Sequence, residues 1–276
     1  MIHKPVLEKE VIECLDPKPN ENFIDCTLGH GGHARLILER TSPNGKLVGI
    51  DQDPEQIKIA KEQLKEFGSR LIAVNSSYTH LKEIAKDITV NGILLDMGMS
   101  SWHLEDSKRG FSFQKDEPLD MRYDPSQAET AEDIVNHYSE EDLARIFSEY
   151  GQERFAARIA RAIVRKRPLR TTGQLVELIK VPGSSKIHPA TRVFQALRIA
   201  VNKELENIEI VIPQAIEVLA QGGRLAVISF HSLEDRIVKN YFKKQKLLFK
   251  KPITASREEI RENPRSRSAK LRLMIK

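Results

Sequence analysis

Short apolar runs and amphipathic stretches alternate along the first hundred residues. The spacing predicts an amphipathic helix over 5–15. Phe23-Ile24-Asp25-Cys26 reads as a short strand, and helical spacing resumes over 34–39. Pro43-Asn44-Gly45 is a turn before a second strand, Leu47-Val48-Gly49-Ile50-Asp51. Pro54 then opens a helix reaching residue 64, at a position where a missing N–H costs nothing. Leu71-Ile72-Ala73-Val74 is a third strand, 81–86 a helix, and Ile93-Leu94-Leu95-Asp96 a fourth strand. Strands alternating with helices at this spacing imply a parallel sheet covered on both faces.

The alternation stops after Asp96. Residues 98–113 read as a polar loop, and helical segments follow. Ser139-Glu140-Glu141-Asp142 has the form of a capping box ahead of a helix over 143–150. A basic helix over 152–167 ends at Pro168, and Thr172 is expected to cap a helix to 179. A break over 181–185 precedes helices over 189–205 and 208–220. Gln221-Gly222-Gly223 stops the last of these, and the sheet resumes over 224–230. A helix over 233–244 and a last strand over 271–275 complete the chain. The expected architecture is a doubly wound α/β domain from 1–106 and 207–276, interrupted by a mostly helical insert, 107–206.

Composition narrows the setting. No apolar run approaches the roughly 18 residues of a membrane span. The N-terminus reaches acidic Glu8 at once and has no signal-like apolar block. Two cysteines, Cys14 and Cys26, give no disulfide framework, and a cytoplasmic location is expected. Net charge is only +5, but it is unevenly placed. Residues 237–276 hold thirteen Lys and Arg against three acids, which leaves the rest of the chain net acidic. Arg154, Arg158, Arg161, Arg165, Lys166, Arg167 and Arg170 form a second run with no acid between them. Either run alone reads as a solvated face; together they favour a nucleic-acid partner.

In an open parallel sheet the ligand lies beyond the carboxyl ends of the strands. Asp25, Asp51 and Asp96 close three of them, and Gly29, Gly31 and Gly32 bring the backbone close at a helix N-terminus. Asp51 lies 20 residues past Gly31, where an acid accepts ribose hydroxyls. Gly29-x-Gly31-x-x-Ala34 also satisfies the dinucleotide pattern, so NAD competes as cofactor. Asp25 favours S-adenosylmethionine instead, because an acid there suits an ammonium and a sulfonium but repels a pyrophosphate. The chain after Phe230 also fits the helix and final reversed hairpin of a Rossmann-like methyltransferase sheet. The plain alternative is that Asp25 and Asp51 cap the turns that follow them. His30 and His33 have no further ligands at tight spacing, so no metal is expected.

These residues resemble the RsmH (MraW) methyltransferases over nearly the whole chain. The resemblance is carried by His3-Lys4-Pro5-Val6-Leu7, Asp25-Cys26-Thr27-Leu28-Gly29-His30-Gly31-Gly32-His33, Asp51-Gln52-Asp53-Pro54 and Leu94-Leu95-Asp96-Met97-Gly98-Met99-Ser100-Ser101. It continues through Arg109-Gly110-Phe111-Ser112-Phe113, Pro118-Leu119-Asp120-Met121-Arg122 and Tyr150-Gly151-Gln152-Glu153-Arg154-Phe155-Ala156. The last blocks run from His188 to Arg198, from Ser229 to Arg236 and from Glu262 to Ser268. The resemblance implies methyl transfer from S-adenosylmethionine to N4 of a cytidine in 16S ribosomal RNA, near the decoding centre. It implies cofactor contacts at Gly31, Gly32, His33, Asp51, Tyr78 and Asp96, and one further contact at His103. There the chain departs: the family usually reads Pro-Gln where this chain reads Trp102-His103. An imidazole donates or accepts one bond where an amide does both.

For transfer to N4, acceptors that hold the amino hydrogens localise the nitrogen lone pair. Asp96, Ser100 and Ser101, after the fourth strand, are the candidate catalytic residues. Carbon-5 methylation needs a cysteine nucleophile near the base, and neither Cys14 nor Cys26 lies in that loop. The base must be unstacked. Trp102, the sole tryptophan, is the candidate stacking face. Phe111, Phe113 and Phe230 read first as core. His231 and Arg236 can face the substrate, and Arg192 and Arg198 can track phosphates. Two other readings stay open, an NAD(P) oxidoreductase and a non-catalytic RNA-binding assembly factor.

Overall fold

A computed structural model describes residues 5–179, 189–245 and 251–276. The expected break at 181–185, His188, and the tail lysines Lys246 and Lys250 lie outside the described residues. The chain divides into two compact units, 1–98 with 205–276, and 99–204. The boundaries fall at 98/99 and 204/205, where the sequence placed them at 106/107 and 206/207.

The first unit is built on one seven-stranded sheet. Its strands are β1 (Phe23–Asp25), β2 (Leu47–Asp51), β3 (Leu71–Asn75), β4 (Val90–Asp96), β5 (Leu219–Ser229), β6 (Ile253–Thr254) and β7 (Lys270–Ile275). The order is β3-β2-β1-β4-β5-β7-β6. Strands β1 to β5 run parallel, and β7 pairs antiparallel with both β5 and β6. The order reverses at β1 and β4, the switch point beside which a doubly wound sheet leaves room for a ligand. The expected turn at Gln221-Gly222-Gly223 is an irregularity at the start of β5: Gly222 has φ +78°, and pairing with β4 jumps from Leu219 to Arg224. Strand β6 pairs with β7 in the expected final reversed hairpin, whereas the helix Arg257–Glu262 is not anticipated by the sequence pattern, because charge masks the periodicity of that stretch.

Apolar residues from the two sheet faces enter separate cores. Phe23, Leu47, Leu94 and Ile228 pack with Ile37 and Leu38 of the helix Gly32–Arg40. Ile24, Ile50, Ile93 and Val227 pack with Ile212 of the helix Glu204–Val218 and Phe242 of the helix Ser232–Lys244. Each such side chain, fully buried, contributes about 1.5–3 kcal/mol.

The second unit is helical. Its helices include Ala131–His137, Glu140–Glu149, Ala156–Lys166, Thr172–Ile179 and Pro189–Asn202. Leu143, Phe147, Ile159, Ile163, Leu175, Val193 and Leu197 form its core. Ser139 caps the second of these helices through Asp142 N–H, as its sequence predicts. Thr172 does not cap the helix Thr172–Ile179 but is its first residue; its hydroxyl accepts from Glu117 N–H (2.9 Å) and donates to the Lys115 carbonyl (2.6 Å). The stretch after Gly98, expected to be a loop, contains the short helix Ser101–Glu105.

Candidate active site

Strand register brings the acids of the first unit together. Asp25 on β1 lies level with Gly49 on β2 and Leu94 on β4. Asp51 and Asp96 therefore stand two residues further along the neighbouring strands, level with Thr27. The Thr27 hydroxyl joins the strands, accepting from Asp96 N–H (2.8 Å) and donating to Asp25 Oδ1 (3.3 Å). Thr27 N–H also donates to Asp25 Oδ1 (3.0 Å).

The chain then turns through the glycines. Gly29 and Gly31 have φ +50° and +84°. Gly31 ends the loop in the left-handed conformation and precedes the helix Gly32–Arg40. A Cβ on Gly31 would lie 2.5 Å from Leu64 Cδ1, and one on Gly32 would lie 2.4 Å from Pro5 Cγ. Asp51 fixes the loop from the side, accepting from Gly29 N–H through Oδ2 and from Asp53 N–H through Oδ1, both at 2.9 Å. Asp53 in turn caps the helix Pro54–Gln63 through Glu55 N–H.

The electrostatics are unusual for aspartates. Burial pushes the Asp25 carboxyl up to about 6, against the opposing pull of His33 and Thr27 N–H. Burial pushes Asp51 up to about 7 despite its two backbone donors. Burial works against charge on the His33 ring, but Asp96, with Asp25 and Glu8, holds it above the usual histidine range. His33 Nε2 lies 3.6 Å from Asp96 Oδ2. Both His33 ring nitrogens, Asp96 Oδ1 and both amide atoms of Gln56 are buried with no hydrogen-bond partner. Buried polar groups are rarely left so. Carboxyls held near neutrality, with unpartnered acceptors and donors, suit a ligand that brings positive charge and hydroxyls. A pyrophosphate would add anionic charge to three strand-end acids. The donor set therefore fits S-adenosylmethionine better than NAD.

Among the residues singled out by sequence, Gly31, Gly32, His33, Asp51 and Asp96 converge here. Tyr78 opens the turn Tyr78–His80 just after β3, whose Asn75 is paired with Asp51. Sequence reasoning missed Thr27 and Gln56. Gln56 carried a signal, since it occupies the buried phase of its helix with Ile57 and Ala60.

His231 and Arg236 belong to the same unit. His231 caps the helix Ser232–Lys244 and lies 3.2 Å from the buried Glu234, whose Oε2 also accepts from Phe230 N–H (2.7 Å). Arg236 is exposed.

The other predicted residues lie in the second unit. Ser100 caps the helix Ser101–Glu105, its hydroxyl 2.9 Å from His103 Nδ1, and Ser101 is buried. The buried His103 ring packs against Trp102, Phe111 and Tyr123 at centroid distances of 5.5, 4.9 and 5.0 Å. Arg109 lies over the Trp102 ring at 5.3 Å. Arg192 stands 3.6 Å from Glu153. Arg198 does not stand free to meet a phosphate: it is buried and donates to both oxygens of Glu204, at 2.7 and 2.9 Å. Its helix periodicity placed it on the inward face, and burial required a partner acid.

A profile of the MraW methylase family matches residues 1–276. The chain is 50% identical over 302 residues to "Ribosomal RNA small subunit methyltransferase H" of Syntrophotalea carbinolica, covering 98% of this chain and 96% of that one. It is 50% identical over 284 residues to the protein of the same name from Thermotoga neapolitana, covering 98% and 94%. A solved structure of a candidate rRNA methylase from Clostridium thermocellum, 12% identical, shares the fold with a TM-score of 0.50 over 100% of this chain and 99% of that one.

Proposed function

The chain belongs to the MraW methylase family, and from that premise we propose that it methylates N4 of a cytidine in small-subunit (16S) ribosomal RNA, near the decoding centre. The observation that carries the cofactor half is the convergence of Asp25, Asp51 and Asp96 on the glycine loop at the sheet's switch point. Relatives of near-equal length, named for small-subunit ribosomal RNA, support the substrate half. The reaction belongs in the cytoplasm with the ribosomal subunits. Among the described residues no helix is long and apolar enough to cross a membrane.

S-adenosylmethionine, when bound, supplies an electrophilic methyl on a sulfonium. Asp51 would hold the ribose hydroxyls, its carboxylate fixed in place by the Gly29 and Asp53 N–H groups. The loop at Gly31 and Gly32 would let the backbone approach the methionine part, and Asp25 would provide charge for its ammonium. Tyr78, on the turn after β3, would be a further cofactor contact, as the family resemblance implies.

Asp96 is the acceptor we assign to the target amine. Its Oδ2 faces His33, and its Oδ1 has no protein partner. A carboxylate oxygen there would accept a hydrogen bond from the cytosine amino group, localise the lone pair on N4 as it bonds to the methyl, and take up the proton N4 then loses, while the sulfur keeps the C–S electron pair. Ser100 and Ser101 lie in the segment that follows. Ser100 caps the helix Ser101–Glu105, and Ser101 is the second acceptor we assign. Trp102, in the second unit, is the candidate stacking face for the unstacked base, and His231 and Arg236, in the first, are candidate substrate contacts.

Single-turnover assays on unmethylated small subunits test this assignment. Asp96→Asn should slow transfer by about 10²-fold or more, as removing one transition-state acceptor does. Unchanged rates in both Asp96→Asn and Ser101→Ala would remove these residues from the mechanism.

A further inference from the structure

The turn that carries Tyr78 is too short to hold itself. The segment Tyr78–His80 is one 3₁₀ turn and Leu81–Ile84 one helical turn, and isolated turns of this length do not persist. Ser77 caps the turn locally, its hydroxyl accepting from Thr79 N–H (3.2 Å) and Thr79 Oγ1 (2.8 Å). Leu81 anchors the segment in the core, and two further polar bonds come from a residue over 130 positions away. Gln214, in the helix Glu204–Val218, donates through Nε2 to the Thr79 carbonyl (2.7 Å). Its Oε1 accepts from Lys82 N–H (2.9 Å), a first-turn donor with no carbonyl of its own helix to meet. One side-chain amide thus bridges the 3₁₀ turn and the helical turn that follows it. Glu supplies no donor for Thr79 and Lys no acceptor for Lys82 N–H, so the amide is matched to this pair.

The turn is also tied to the cofactor acid. Ser76 N–H and the Asn75 side-chain amide both donate to the Asp51 carbonyl at 3.0 Å. Asp51 and Tyr78 therefore sit on one continuous rim, with Gln214 bracing its far side.

We propose that Gln214 is a positioning residue of the cofactor site: it sets the turn that carries Tyr78 beside Asp51, and so the place of Tyr78 as a contact for S-adenosylmethionine. This rests on the cofactor reading given above. Gln214 touches no cofactor atom and acts only through the turn.

The test is a double-mutant cycle on cofactor affinity, measured calorimetrically with the full chain and S-adenosylmethionine. Gln214→Ala should raise Kd about 5–20-fold, and Tyr78→Ala at least as much. In the doubly substituted protein Gln214→Ala should add nothing to Tyr78→Ala, because the turn then has no ring to place. Lys82→Met, which removes the side-chain pair with Glu217 but keeps the N–H, should leave Kd within twofold of wild type. If Gln214→Ala fails to fold, Gln214→Glu replaces it. That variant retains the acceptor for Lys82 N–H and loses the donor to Thr79, and it too should bind cofactor more weakly. A folded Gln214→Ala protein with wild-type Kd, or effects that multiply in the double variant, would overturn the proposal. An unchanged Kd for Tyr78→Ala, with Asp51→Ala defective, would overturn it while leaving the cofactor reading intact. Loss of neither would overturn both.

Discussion

Asp25 carries an ionisable group that the ligand-free fold prefers uncharged. Its folded-state pKa is raised to about 6, so the protein holds a proton that the unfolded chain has released between about pH 4 and 6. The stabilising contribution is full at low pH and is lost as pH rises through the folded value. Keeping Asp25 ionised at pH 8 costs on the order of 3 kcal/mol. Asn at this position keeps one oxygen for the Thr27 N–H and carries no charge. Asp25→Asn should therefore raise the ligand-free Tm at pH 8 by roughly 2–8 °C. The same variant should lose most of the Tm gain that S-adenosylmethionine gives the wild type; a thermal-shift titration reads both. The cofactor's positive charge and hydroxyls favour the ionised forms of Asp25 and Asp51, with Asp51 at about 7. Affinity should accordingly fall as pH drops, with Kd rising about tenfold per unit just below pH 7 and more steeply below pH 6. A Kd independent of pH from 5 to 8 would contradict the placement of these acids against the ligand.

At the level of elements, the glycine loop is limited by packing as well as by backbone conformation. Gly31 combines φ +84° with a Cβ position 2.5 Å from Leu64, whereas Gly68 has φ +53° and nothing within 4 Å. Gly31→Ala should cost about 2–4 kcal/mol and Gly68→Ala about 1 kcal/mol, in denaturant melts. Equal costs would mean that the loop can relax away from the Leu64 side chain. The loop, the four parallel strands that frame it and their acids were legible in the sequence, because period, turn residues and strand-end position all point the same way. The helix Ser101–Glu105 was not, since a five-residue helix capped by Ser100 and His103 leaves no apolar periodicity to read. For Arg198 the helix periodicity marks the inward face, but the expected phosphate role rested on its charge and not on its phase on the helix. Arg198→Ala should destabilise the protein by about 3–5 kcal/mol, by leaving buried Glu204 with the Tyr123 hydroxyl but without its charge partner. Gln214 was invisible because its partners are distant in sequence.

On the whole molecule, the basic segments are less uniform than their letters imply. Lys270 and Arg272 face Asp235 at 3.2 and 2.7 Å, and Lys276 donates to the carbonyls of Glu217 and Leu219. Arg257, Arg261 and Arg267 are exposed, as are Arg154, Arg158 and Arg165 of the other run. RNA binding should weaken steeply with salt, and neutralising Arg257, Arg261 and Arg267 together should reduce the salt slope by about 2–3. The most direct measurement of the central claim is nucleoside mass spectrometry. Unmethylated small ribosomal subunits would be incubated with the protein and labelled S-adenosylmethionine, then digested to nucleosides. The label should appear in N4-methylcytidine. Label in a different nucleoside, or none with cofactor binding intact, would contradict the assignment.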